Sequence, residues 1–184
     1  MGREQYGRVM PLICRALAGI EAGVLGGVAM FGWLAASSVL DMRSIWLAPN
    51  LLGSTLAGRD VLQRGFGWTT VSGLALHLSV SGLVGMGFGL LVGGSTRRIR
   101  VMLLGMLSGL VWYYFSQALF WRKLGVFVTL YSPPRTLLLA HLIYGMVLGW
   151  FPNGLRSATR SFLGARGESP EDLGAESSKA GGLD

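Results

Sequence analysis

Four long apolar stretches, separated by short polar ones, set the pattern of this chain. They cover about residues 16–40, 71–94, 101–121 and 136–151. A helix needs about 20 residues to cross the hydrocarbon core of a bilayer. The first three stretches meet that length. The fourth is shorter and stops at Pro152, although a start at Pro134, which suits a first helical turn, would lengthen it. None shows the period-2 alternation of barrel strands. Only helices and closed barrels satisfy every backbone group in lipid, so the pattern predicts helices. The expected fold is all-α: an integral membrane bundle of four transmembrane helices within residues 16–152.

The first stretch follows a basic start with Arg3, Arg8 and Arg15. It is longer than the roughly 7–15 apolar residues of a signal peptide, so it reads as a retained helix behind a basic segment, 1–15. Between the first two stretches, residues 45–52 are apolar but too few to cross, and Pro49 and Gly53 interrupt them. The segment 43–66 reads as interfacial or re-entrant, with a surface loop as the other option. Residues 153–184 turn Gly-, Ser- and Glu-rich with no apolar period, the composition of a largely disordered tail.

Composition agrees with a membrane setting. Hydrophobic residues make up 51% and charged residues 14%, against about 25% charged in an average soluble domain. The net charge is +7, but its basic residues fall in short groups between apolar stretches. No basic stripe predicts a nucleic-acid partner. With both termini in the cytoplasm, ten of the sixteen Lys and Arg residues lie inside, including Arg97, Arg98 and Arg100 in one turn. That bias predicts a multi-pass protein of the bacterial inner (plasma) membrane in this orientation. Trp46, Trp68, Trp121 and Trp150 lie near stretch ends, where aromatic belts form. The single Cys14 excludes an intrachain disulfide.

The 29 glycines are placed periodically within the stretches. In lipid, association of helices depends on close backbone approach, which small residues allow. At 100° per residue, Gly19 and Gly23 share a face of the first helix, Gly85 and Gly89 of the second, Gly105 and Gly109 of the third, and Gly145 and Gly149 of the fourth. These eight are the expected packing residues. The first and third stretches also align at an offset of 86, which places Leu17, Gly19 and Gly23 on Leu103, Gly105 and Gly109. The second and fourth align at 64, which places Leu74, His77 and Gly85 on Leu138, His141 and Gly149. A two-helix unit used twice would give parallel repeats. In Gly- and Leu-rich helices, chance accounts for such matches about as well as duplication.

Ionisable groups at membrane depth are costly and default to functional hypotheses. Three stand out: Glu21, His77 and His141. Glu21 falls opposite the first glycine stripe. Its structural reading is a pair with Arg97, Arg98 or Arg100. Its functional reading is a proton- or ion-coupled site in a small transporter, with a path lined by Ser79, Ser81 and Gln117. His77 and His141 fall toward the outer ends of their stretches. They read first as interhelical hydrogen-bonding residues and second as axial ligands to a haem b. Two histidines without a further ligand make a poor metal site, so no metal is expected. No motif of catalysis is present, and no enzyme activity is expected.

The Gly19-Ile20-Glu21-Ala22-Gly23 opening and the Ala140-His141-Leu142 helix resemble, in layout over roughly residues 12–152, a loose group of uncharacterised four-helix bacterial inner-membrane proteins. The resemblance implies location and architecture and no activity. The leading expectation is a structural or assembly role, with Gly-rich faces packing against a second copy or other membrane proteins in the bilayer. A transporter component using Glu21 and a haem-binding anchor using His77 and His141 are the alternatives.

Overall fold

The computed structural model describes residues 2–57, 65–92, 98–118 and 133–150. Among these the elements are all helical: α1 (Gly2–Leu40), α2 (Leu47–Ala57), α3 (Trp68–Val92), α4 (Arg98–Ser116) and α5 (Pro134–Leu148). Three helices are long and apolar enough to cross a membrane: Leu12–Leu40 within α1, α3 and α4. The fourth apolar stretch forms only the 15 residues of α5. Its length has local causes. Pro134 opens it with a fixed φ, and Gly149 caps it, its N–H donating back to Gly145 and Met146. At about 1.5 Å per residue α5 covers roughly 22 Å, short of a core about 30 Å thick. The third stretch forms α4 to Ser116 and continues as a π turn through 117–118. Residues 119–132 and the expected disordered tail lie outside the described residues.

The helices pack in the order α2, α3, α1, α5, α4, and α3 barely meets α4. Two seams dominate. In the first, α1 runs antiparallel to α3. A methyl group on Gly19 would meet the Gly85 carbonyl, and one on Gly23 would meet the Ser81 carbonyl and lie 2.9 Å from Gly85 Cα. In the second, α4 runs antiparallel to α5. A methyl on Gly105 would meet the Gly145 carbonyl, and one on Gly109 the His141 carbonyl. At such separations backbone rests on backbone, and the gain is van der Waals contact along the whole seam.

The two seams draw on residues at corresponding positions, with Gly105 resting on Gly145, one turn from the counterpart of the Gly19–Gly85 contact. Offsets of 86 and 64 carry Gly19, Gly23, Ser81 and Gly85 onto Gly105, Gly109, Gly145 and Gly149. Each of these eight residues lies in its own seam and is buried. The helices α1 and α4 run in the same direction, since each is antiparallel to α5.

The contact between hairpins breaks this symmetry. Gly26 of α1 receives the ring of Tyr144, which would lie 2.8 Å from a methyl there. Ala18, Ala22, Met30, Ala140 and Leu148 complete a buried cluster around it. The same offsets carry Gly26 onto Trp112 and Tyr144 onto Val80. On the α3–α4 side a large side chain therefore replaces the notch, and nothing replaces the residue that fills it. The α1–α5 side closes and the α3–α4 side does not.

Helix α2 has 11 residues, about 16 Å in length, too few to cross a bilayer. It lies antiparallel along the first half of α3. A methyl on Gly73 would meet the Pro49 carbonyl, and one on Gly53 the Thr69 carbonyl. Fully buried Asn50 and Thr70 tie the pair: the Thr70 hydroxyl donates to Asn50 Oδ1 at 2.6 Å. Asn50 Nδ2 donates to the Gly65 carbonyl at 3.4 Å, and the Gly67 N–H donates to Thr70 Oγ1 at 3.0 Å. Trp46 meets Phe66 edge to face at 5.0 Å beside this junction. The turn out of α1 is a Schellman motif. Arg43 N–H donates to Ser38 and Met42 N–H to Val39, with Met42 at φ 55°.

Candidate functional site

The polar side chains at span depth divide into those tied inside the bundle and one that points out. Tyr144 is 2% exposed, and its hydroxyl donates to the Ser81 carbonyl at 2.7 Å, linking α5 to α3. Trp33 Nε1 donates to the Thr136 carbonyl at 3.2 Å, linking α1 to α5. His77 Nε2 lies 3.0 Å from the Gly27 carbonyl, linking α3 to α1. His141 Nδ1 lies 2.8 Å from the Leu137 carbonyl, one turn earlier in its own helix. A carbonyl only accepts, so each of these ring nitrogens carries the proton.

The histidines occupy equivalent places in the two hairpins. His77 bonds Gly27, and His141 meets the Tyr113 ring edge to face at 5.3 Å. The offset of 86 carries Gly27 onto Tyr113. Gly27, the partner of His77, is near the middle of Leu12–Leu40. Each ring serves its own seam. His77 has spent Nε2, so ligation through that atom would have to break the bond to Gly27.

Ser81 is buried against α1, beside Gly27. Ser79 is exposed on the other side of α3. Gln117 is half-buried eight residues beyond Gly109, about 12 Å further along the axis of α4. The three polar residues proposed to line a path therefore fall in separate places. A described cavity of about 20 Å³ lies elsewhere, between the end of α1 and the starts of α2 and α5, lined by Ser37, Asp41, Arg43 and Thr136 among others.

Glu21 points outward. It is exposed on a stripe of α1 with Leu17, Leu25 and Val28, which are 49%, 55% and 52% exposed. The stripe turns away from both the α3 seam and Tyr144, as the helical period of Gly19, Gly23 and Gly26 requires. Among the described residues Glu21 has no ion pair, and this includes Arg98 and Arg100. Arg97 lies outside the described residues. The equivalent residue on α4 is Leu107, which is 54% exposed on an apolar stripe. The hairpin design thus functions with leucine at that place, and the acid is particular to α1.

The backbone ties were beyond sequence reading, because their acceptors are carbonyls that every residue carries. The outward position of Glu21 had a signal in its angular separation from the glycine stripe.

No protein-family model, curated protein or solved structure matches this chain.

Proposed function

We infer that this chain is a multi-pass inner-membrane protein that crosses the bilayer four times, with both termini cytoplasmic, and that its role is structural or in assembly. It works by associating with a second copy or with other membrane proteins. The observation that carries this reading is the split between inside and outside. The interior histidines, Tyr144 and Trp33 are bonded to backbone carbonyls and serve as ties. The acidic side chain at span depth sits on the outer surface, where it meets other molecules rather than an internal path. A short α5 is accommodated by thinning the bilayer locally or by covering its ends with flanking residues.

The glycine faces support a modified version of the expected role. Seven of the eight packing glycines meet another helix of this chain, and the eighth, Gly89, is buried. The surface left for association is the apolar exterior of the helices, including the outer stripes of α1 and α4.

The test has two parts. Alkaline carbonate extraction should leave the protein in the membrane pellet, and native electrophoresis in mild detergent should show a species larger than the monomer. Liposome flux of protons and monovalent cations should stay at background for wild type and Glu21→Gln alike. Flux abolished by Glu21→Gln would replace this reading with a transporter.

A further inference from the structure

We propose that the Glu21 stripe of α1 docks against the Arg100 stripe of α4 in a second copy of this chain, in a head-to-tail contact within the membrane. The proposal rests on the membrane-assembly reading above and names its partner.

Charge, depth and spacing each point to this occupant. An acid on a lipid-facing surface calls for a basic or hydrogen-bonding partner at the same depth. Arg100 is exposed on α4, and among the described residues it has no ion pair. A methyl on Gly149 would meet Met102 Cα, and Gly149 lies five residues past Tyr144 on α5, at the level of residue 21 on the antiparallel α1, five before Gly26. Arg100 and Glu21 therefore lie within about one helical turn of the same depth, and an arginine side chain can bridge that difference.

Along α4, Arg100 leads a stripe containing Leu103, Leu107 and Val111, which are 60%, 54% and 59% exposed. With Glu21 set beside Arg100, the exposed positions Leu25, Val28 and Gly32 of α1 run beside Leu103, Leu107 and Val111. The two outer stripes thus match in spacing. Because α1 and α4 run in the same direction, two copies inserted alike bring the stripes together parallel and in register. A symmetric α1–α1 contact would instead set Glu21 against Glu21. Since the two stripes are different surfaces of one chain, the contact is heterologous and can repeat into rings or rows.

Cysteine crosslinking between two differently tagged copies tests this, in a Cys14→Ser background and in native membranes. Val28→Cys on one copy should crosslink to Leu107→Cys on the other, well above the Val28→Cys and Leu107→Cys self-pairs. A chain carrying both cysteines should give a ladder beyond the dimer. Glu21→Arg or Arg100→Glu alone should reduce the crosslink about tenfold, the size of a lost polar contact between membrane helices. The double exchange, Glu21→Arg with Arg100→Glu, should restore it. A dominant Val28→Cys self-crosslink, absence of the mixed crosslink in carbonate-resistant protein, or an unrescued double exchange would each overturn the contact and leave the membrane reading in place. Release of the protein by carbonate would overturn that reading itself.

Discussion

The Tyr144 hydroxyl of α5 donates to the Ser81 carbonyl of α3 while the Tyr144 ring lies in the notch left by Gly26 of α1. One side chain thus joins three helices and both hairpins. Tyr144→Phe keeps the ring and removes the bond. It should cost about 0.6–1.7 kcal/mol, the range for polar contacts between membrane helices. Tyr144→Ala also empties the notch and should cost about 3–5 kcal/mol. Reversible unfolding in mixed detergent micelles would measure both. Equal losses would mean that the ring contributes nothing.

Glycine-to-alanine changes should separate by seam. Gly19→Ala, Gly105→Ala and Gly145→Ala each set a methyl against backbone that cannot move aside. Each should destabilise by about 1–3 kcal/mol, the cost of overpacking. At Gly32 and Gly87 a methyl meets nothing within 4 Å. Alanine there should be neutral or stabilising by up to about 1 kcal/mol, from helix propensity. The same unfolding assay distinguishes the groups.

Met42 holds a left-handed backbone at φ 55° and is 95% exposed, so its side chain gains little in return. Met42→Gly should stabilise the end of α1 by about 1 kcal/mol, because glycine carries no penalty in that region. Slower amide exchange at Met42 and Arg43, whose N–H groups close the motif, would register the gain.

The Asn50–Thr70 pair should act locally. Thr70→Val removes the donor to Asn50 and the acceptor for Gly67 in a fully buried place. A cost of about 1–3 kcal/mol is expected for the polar groups left unpaired. It should appear as faster proteolysis or exchange around α2, with the α4–α5 seam unchanged.

Glu21→Leu should leave the monomer as stable as wild type or slightly more so, since Leu107 holds the equivalent place. Loss of more than about 1 kcal/mol in monomeric micelles would indicate an internal partner for the acid.

Much of this was legible in the hydropathy and the glycines. The apolar runs marked α1, α3 and α4, because length and lipid together leave helices as the solution. The spacing of Gly19 and Gly23, Gly105 and Gly109 named the faces, and the repeat named which positions correspond. What periodicity could not supply was the partner of each face. The glycine stripes suit another chain as well as this one, and only the register of Gly19 on Gly85 and Gly105 on Gly145 decides for this one. The histidines were expected to bond between helices; His77 does so, to Gly27, whereas His141 bonds Leu137 of its own helix, and the carbonyl acceptors of both, like that of Tyr144, left no trace in residue type.

The duplicated hairpin also orders events during synthesis. Every residue of the Gly19–Gly85 seam has been translated by residue 92, so the first pair can zip together while the ribosome is still far from Tyr144. Until that tyrosine emerges, Gly26 and its neighbours on α1 present an open cleft to the surrounding lipid. The nascent protein therefore passes through a stage in which one hairpin is complete and the face of α1 that will receive Tyr144 is bare.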